Sequence, residues 1–300
     1  MIRTVILSLA LGSCAPLVPR PADTPSDLGL HDDLHALETR SGGRLGVVLL
    51  DDDGRSLVTF RADQRFAFCS AFKVALGAAA FAAAADGALD LDTPITYARA
   101  DFPGYQPVLE RRIDAATGSG SISLRDAIAA TVTVSDNMAA NLLIDALGSP
   151  AAVTAIWRDW GDKMSRLDRR ETALNENRAG DERDTSTPHA MADLLRRLLS
   201  EDLLSSDDRE ALALLTHEAT TGLTRVRAGL PADWRAGDKT GTCKNDGSPD
   251  SQSNDIGWFT TPDGRTFWFA VMLARYGGTN ADANVLQAEI GKLFADRLSR

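Results

Sequence analysis

Lysine is scarce in this chain. Lys73, Lys163, Lys239, Lys244 and Lys292 are its only examples, and arginine supplies the remaining basic residues. The net charge is −10, which argues against a nucleic-acid partner, since that needs a basic face. Histidine is equally thin: His31, His35, His189 and His217 fall in predicted helices or at their ends and read as structural. No glycine-rich phosphate loop and no metal-spaced His/Cys cluster is present, so the usual nucleotide and zinc motifs are missing. Nor is there a Gly-x-Ser-x-Gly elbow, the mark of an esterase that relies on a histidine partner. Internal repeats and low-complexity stretches are absent. The N-terminal apolar run, Val5 to Leu11, is far too short to span a bilayer.

That run follows a charged start at Arg3 and precedes Leu11-Gly12-Ser13-Cys14, and the whole reads as an export signal. Two readings stay open: a lipoprotein signal in which Cys14 becomes the lipidated first residue, or ordinary cleavage near Ala15. Pro16 to Pro25 would then be a flexible tether. Either way the mature protein is exported, to the periplasm, and in the first reading alone Cys14 would be its one membrane tether. Of the 3 cysteines, Cys69 and Cys243 then remain as the one pair available in an oxidising compartment. Two buried free thiols are the alternative. Closing so long a loop would stabilise the fold by about 5 kcal/mol in the chain-entropy model.

The 300 residues suit one large domain or two intimately joined ones. Leu30, Leu34 and Leu37 recur at helical spacing until Gly42-Gly43 stops the pattern. Leu45 to Leu50 and Ser56 to Phe60 read as a hairpin across Asp51-Asp52-Asp53-Gly54. Val74 to Ala85 is apolar on nearly every side, as in a buried helix. Helices are expected at Leu124–Val134, Met138–Leu147, Ala151–Trp160, Pro188–Leu199 and Asp207–Leu215. Strands return at Trp234–Cys243, Ile256–Thr260 and Thr266–Leu273, and a last helix runs from Asp282 to Leu298. The fold class is therefore α+β. An antiparallel sheet of about five strands joins the two ends of the chain, with helices flanking it. The domain reading is a leader and tether over 1–25, an α/β lobe over 26–66 and 217–300, and an all-helical lobe over 67–216. A cleft between lobes is the expected place for a small-molecule site.

Four short motifs carry chemistry. Ser70 and Lys73 are three apart at a helix start, so the Lys73 side chain would hang beside the hydroxyl, close enough to take its proton or pass one on. The helix N-terminus adds N–H groups suited to an oxyanion. In Ser135-Asp136-Asn137, an extended turn would send Ser135 and Asn137 to the cleft and Asp136 inward. Glu171 and Asn175 sit in a long polar stretch without helical periodicity, whose neck Arg169 and Asp184 could close as an ion pair. Glu171 is there a candidate general base for water. In Asp238-Lys239-Thr240-Gly241-Thr242-Cys243, Gly241 would leave an edge strand bare for a substrate, while Lys239, Thr240 and Thr242 suit a carboxylate. The Thr242 N–H could join that of Ser70 as an oxyanion hole. Any one motif is common by chance. Two of so few lysines lying inside them is informative.

Taken in order, Ser-x-x-Lys, Ser-Asp-Asn, Glu-x-x-Leu-Asn and Lys-Thr-Gly resemble a class A serine β-lactamase. The resemblance runs from about residue 28 to the C-terminus. It includes Arg61-Ala62-Asp63-Gln64-Arg65-Phe66, Leu167-Asp168-Arg169, Arg227-Ala228-Gly229-Leu230-Pro231 and Asn254-Asp255-Ile256. It implies that Ser70 is acylated as a β-lactam ring opens, and that Lys73 and Glu171 share its activation. Glu171 with Asn175 would drive deacylation, and Ser135 would protonate the leaving nitrogen. Asn137 would hold the substrate amide; Lys239, Thr240, Thr242 and Arg225 would hold its carboxylate; Tyr105 would wall the cleft. Cys69 and Cys243 resemble the disulfide of the carbapenem-hydrolysing branch. No cofactor or metal is implied, and the expected partner of a monomer is the small-molecule β-lactam. Two rivals share the serine and lysine: a penicillin-binding D,D-peptidase and a β-lactam sensor that stays acylated. Departures from the family pattern are the longer run Lys244 to Ser253, Ala219 in place of asparagine, and Arg170 before the glutamate.

Overall fold

The computed structural model describes residues 28–243 and 248–299, so the export signal, Cys14, the proline-rich tether and Lys244 to Gly247 lie outside the described residues. Leu34 and Leu37 bury one stripe of α1 (His31–Ser41), and Gly42 ends that helix at φ 65°, a left-handed conformation that costs glycine little. The hairpin follows as β1 (Arg44–Leu50) and β2 (Ser56–Phe60). A two-residue strand, β3 (Phe66–Ala67), leads into a 3-10 turn over Cys69–Phe72 and then α2 (Lys73–Ala85).

The middle of the chain starts its helices where capping chemistry dictates. Ser123 caps α3 (Leu124–Thr133), and Asp136 caps α4 (Asn137–Ala146). Ser149 with Pro150 begins α5 (Pro150–Asp159). In each case the side-chain oxygen accepts a backbone N–H that the helix leaves unpaired. This middle stretch is not all-helical, as the sequence suggested. β4 (Pro94–Ala98) and β5 (Ser119–Ser123) pair as a hairpin before α3, and β6 (Thr185–Ser186) returns to β3. The sequence of β5, Ser-Gly-Ser-Ile-Ser, reads as loop; the pairing holds because the Tyr97 ring covers Gly120, where a Cβ would lie 2.6 Å from it.

Thr187 with Pro188 opens α6 (Pro188–Ser200), and Ser205 opens α7 (Ser206–His217). The late strands are β7 (Arg235–Cys243), β8 (Gln252–Thr260) and β9 (Thr266–Ala274), and α8 (Asn280–Leu298) closes the chain behind a capping box at Thr279 and Asp282. One five-stranded antiparallel sheet has the order β2-β1-β9-β8-β7. Alternation divides its side chains between two cores. Val47, Leu49, Phe269 and Val271 face α1 and α8, whereas Val48, Leu50, Ala270 and Met272 face the helical side. β8 starts four residues earlier than the apolar pattern suggested, because Gln252, Ser253, Asn254 and Asp255 are buried despite being polar. β7 is the free edge, and it lies against the turn that carries Ser70.

The Phe259 ring lies within 6.5 Å of the Trp234, Phe267, Phe269 and Phe294 rings. Phe259→Ala should therefore lower the unfolding free energy by about 3–5 kcal/mol, read from urea midpoints with an unchanged m-value. Leu214→Ala, on a side chain 45% exposed, should shift it by no more than about 0.5 kcal/mol. Equal losses would contradict the assignment of Phe259 to the centre of that core.

Candidate active site

Ser70 stands in the 3-10 turn ahead of α2, where the first N–H groups have no intrahelical acceptor. The turn is held from several directions. Cys69 has φ 50°, an uncommon conformation for a side chain of any size, and is bonded to Cys243 across a Cα–Cα distance of 5.8 Å. Asn254 Nδ2 donates to the Ala67 and Phe68 carbonyls at 2.8 and 3.1 Å. Gly241 packs so tightly that a Cβ there would lie 2.2 Å from the Phe68 carbonyl and 2.8 Å from the Ala71 nitrogen. Its bareness was expected to make room for a substrate. In the structure, room for the serine turn is what requires it.

Lys73 is wholly buried. Its Nζ lies 3.0 Å from Glu171 Oε1 and donates to the Ser135 carbonyl at 2.9 Å, Ser135 Oγ at 3.3 Å and Asn137 Oδ1 at 2.5 Å. Burial pushes this ammonium below the ordinary lysine range, and Glu171 pulls it back. Ser70 Oγ donates to Glu171 Oε1 at 3.0 Å, so the nucleophile and Lys73 meet on one carboxylate oxygen. Direct contact between Ser70 and Lys73, the expected arrangement, is replaced by this shared acceptor.

Ser135 is not in an extended turn. It has φ 62°, Asp136 follows as the cap, and Asn137 is already in α4. Asp136 does point inward: besides the Ala139 N–H, it accepts from Val108 and Leu109 N at 3.0 and 3.1 Å. Asn137 is engaged on both sides, by Lys73 and by the Gly104 carbonyl, which its Nδ2 reaches at 2.6 Å. Its backbone N donates to the Tyr105 carbonyl at 3.0 Å, and the Tyr105 ring stands 60% exposed at the rim.

Glu171 is carried by a loop over 168–184. Asp184, wholly buried, accepts from Arg169 Nε at 2.6 Å and from the Asp168 and Arg169 backbone at 2.8 and 3.0 Å. The expected ion pair at the neck is thus also a clamp on the backbone. Asn175 Nδ2 donates to Glu171 Oε2 at 2.7 Å. The sequence reading missed Asn141, whose side chain receives the Glu171 N–H and donates to the Glu171 carbonyl, both at 2.9 Å. One signal pointed to it: Asn141 lies four residues after Asn137, on the same face of α4. Arg170 pairs with Asp145 at the surface of the same helix.

Beyond Ser135, Lys239 Nζ donates to Ser135 Oγ at 3.0 Å and to the Thr240 carbonyl at 2.8 Å. Burial, then the charge of Lys73, pushes Lys239 well down. Arg225 is also buried, and donates to Thr242 Oγ1 and the Asn254 carbonyl, both at 2.6 Å. Thr240 Oγ1 donates to Thr221 Oγ1 at 2.7 Å, another partner absent from the motif reading. Lys239, Arg225, Thr240 and Thr242 thus come together, with two cationic side chains beside two hydroxyls. Behind them Asp238 and Asp255 are wholly buried, and burial raises the pKa of both. Among the described residues no group of three His, Cys, Asp or Glu side chains is placed to hold a metal ion.

A model of the β-lactamase enzyme family matches residues 29–298. β-Lactamase FAR-1 of Nocardia farcinica is 40% identical over 257 residues, which are 85% of this chain and 78% of the relative. The β-lactamase of Mycobacterium tuberculosis is 41% identical over 265 residues, 86% and 82% of the two chains. The solved structure of an ancestral (GNCA) class A β-lactamase matches with a TM-score of 0.83 at 42% identity, covering 89% of this chain and 99% of that one.

Burial lifts Asp238 to about 6, with Arg227 and Lys239 opposing. The folded carboxyl holds its proton more tightly than the unfolded one. Its contribution to stability is therefore present at acid pH and is lost as pH rises from about 4 to about 6. Asp238→Asn should flatten the loss of stability across that window, measured by urea melts at half-unit pH steps. An unchanged slope would contradict the burial of an ionising carboxyl there.

Proposed function

This chain belongs to the β-lactamase enzyme family, class A, and from that membership we infer that it hydrolyses β-lactam antibiotics through a serine acyl-enzyme and so confers resistance to them. The observation that carries the mechanism is the shared Glu171 oxygen, 3.0 Å from both Ser70 Oγ and Lys73 Nζ. In this reading Glu171 takes the Ser70 proton as Oγ attacks the lactam carbonyl, and the Lys73 charge steadies the carboxylate–hydroxyl pair. The oxyanion is received by the Ser70 and Thr242 N–H groups. When the ring C–N bond breaks, Ser135 protonates the nitrogen. Ser135 recovers a proton from Lys73, which donates to its hydroxyl, and Lys73 takes in turn the proton held by Glu171, which is a carboxylate again. The product of this half-reaction is an ester on Ser70.

The second half requires water. Glu171, oriented by Asn175 at 2.7 Å, accepts a proton from the water that attacks the ester, and passes that proton to Ser70 Oγ, 3.0 Å away, as the ester C–O bond breaks. The substrate carboxylate lies against Lys239, Thr240, Thr242 and Arg225. Its side-chain amide lies against Asn137, which keeps one N–H and one lone pair beyond its internal bonds. Tyr105 walls the entrance, and Gly241 lets the serine turn close against β7. The cleft lies between a lobe over 26–66 and 217–300 and a lobe over 67–216. Glu171, buried and held at backbone and side chain, favours a hydrolase over a D,D-peptidase or a sensor, neither of which needs a fast deacylation base. Carbapenems belong to the proposed spectrum, supported by the Cys69–Cys243 bond behind the nucleophile. The protein is exported to the periplasm as a monomer, with Cys14 as its tether if it is lipidated.

Intact-mass spectrometry with benzylpenicillin tests the roles. The wild type should return to the free mass within seconds. Glu171→Ala should keep a one-to-one adduct, with deacylation slowed by about 10²–10⁴-fold, and Ser70→Ala should form none. Wild-type turnover in either variant would overturn the assignment.

Spectrum is a separate measurement. Purified enzyme should consume imipenem as well as nitrocefin. Intact imipenem beside hydrolysed nitrocefin would remove the carbapenem claim and leave the acyl-enzyme mechanism standing.

A further inference from the structure

A second cavity, of about 540 Å³, opens where the far arm of the glutamate loop meets the ends of β1 and β9. Ser70, Lys73 and Glu171 do not line it. Arg44, Arg65, Arg178 and Arg275 do, on a protein whose net charge is −10. Two of the four, Arg44 and Arg275, have no ion-pair partner among the described residues, and Arg178 is paired with Glu176. Arg44 bonds only neutral oxygens, Gln64 Oε1 at 3.1 Å and the Arg65 carbonyl at 2.7 Å, and lies 3.9 Å over the Phe66 ring. Arg65 donates to the Met164 carbonyl at 2.9 Å and Thr185 Oγ1 at 3.1 Å, and its only carboxylate among the described residues is Glu182 at 4.0 Å, itself 64% exposed.

Arg275 has no carboxylate within 4.0 Å among the described residues. Ala274 pairs with Arg44 across the two strands, and at Arg275 the backbone turns left-handed, with φ 56°. Two cations are thereby set on one cavity wall; burial, then the Arg275 charge, pushes Arg44 below the ordinary arginine range. Of the acids on the lining, Asp181 is taken by Arg183 at 2.7 Å and Glu182 lies 4.0 Å from Arg65, so neither faces Arg44 or Arg275 in an ion pair.

Guanidinium forks held by neutral partners, with free N–H groups around a cavity, are suited to a tetrahedral oxyanion. We propose that this cavity binds a phosphate group through Arg44, Arg65 and Arg275, joining the glutamate-loop arm to the sheet edge. The group is either a free phosphate dianion or the phosphate of a glycerophospholipid headgroup. Arg65 already ties the two ends of the glutamate loop, through Met164 and Thr185, and Arg44 of β1 donates to the Arg65 carbonyl. A bound anion would therefore hold the loop arm against β1 and β9 without touching the nucleophile.

Thermal melting of the mature chain in sodium phosphate tests this against sodium chloride of equal ionic strength. The donors at the end of the active-site cleft also attract anions, so melts are repeated on the penicilloyl adduct of Glu171→Ala, where that end is filled. Phosphate should raise the midpoint in both forms. Arg275→Glu should weaken apparent phosphate binding at least tenfold while leaving nitrocefin turnover within twofold of wild type. This last comparison needs no adduct, so it stands even if the acyl-enzyme reading fails. Tighter binding of inorganic phosphate than of glycerol 1-phosphate assigns the free ion, and the reverse order assigns the headgroup. Equal midpoints in phosphate and chloride, or an equal response in Arg275→Glu, would overturn the proposal.

Discussion

A lysine ammonium with no exposure to water needs compensation from every side. Lys73 obtains it from one carboxylate, one carbonyl, one hydroxyl and one carboxamide oxygen. Those four partners come from three places: the turn before α4, α4 itself, and the glutamate loop. An unpaired buried charge costs several kcal/mol, so none of these segments can drift without exposing the cost. The left-handed backbone at Ser135 and the clamp of Asn141 on Glu171 follow from the same demand. Once the charge is satisfied, the hydroxyl of Ser70 finds its acceptor already in place.

Polar strand residues provide the second layer. Asn254 holds the carbonyls of the serine turn, and Gln287 of α8 donates to Ser253. Asp255 receives the Val226 N–H beside Arg225. The buried polar start of β8 therefore fixes the nucleophile, the anion end of the cleft and the terminal helix to one another. The disulfide adds a covalent tie between the serine turn and the end of β7. Cys243 Sγ also lies 3.0 Å from Asn175 Oδ1, which sets the tie against the residue that orients Glu171.

This second layer is what the sequence hid. The helices, the hairpin and the five strands were legible because their apolar periods and capping residues agree with one another. The same agreement failed at Gln252 to Asp255, where burial serves hydrogen bonding and polarity reads as loop. It failed again at Ser119 to Ser123, where one ring over one glycine decides the pairing. Among site residues, those in short motifs could be found because each motif sets its polar side chains within a few residues of one another, as Ser70 with Lys73 and Glu171 with Asn175. Asn141 and Thr221 act on partners 30 and 19 residues away; the spacing from Asn137 puts Asn141 on the right face of α4 but does not name its partner, and nothing local marks Thr221. Ser135 and Asn137 were placed on the right side of the cleft by a wrong route, since a left-handed turn and a helix start replace the extended backbone.

Acylation alone would ask less of this architecture. A serine at a helix start, a buried lysine and an anion receptor suffice to open a strained amide and hold the product as an ester. Releasing that ester needs a base on the correct side, and a loop glutamate left to itself would turn outward to solvent. This chain devotes Asn141 to the Glu171 backbone, Asn175 to its second oxygen, and Asp184 to closing the loop that carries it. Each is a hydrogen bond to a charged group or within a buried network, individually worth about 1–3 kcal/mol. Their common object is one carboxylate. The difference between a protein that captures a β-lactam and one that destroys it lies in how firmly that carboxylate is held.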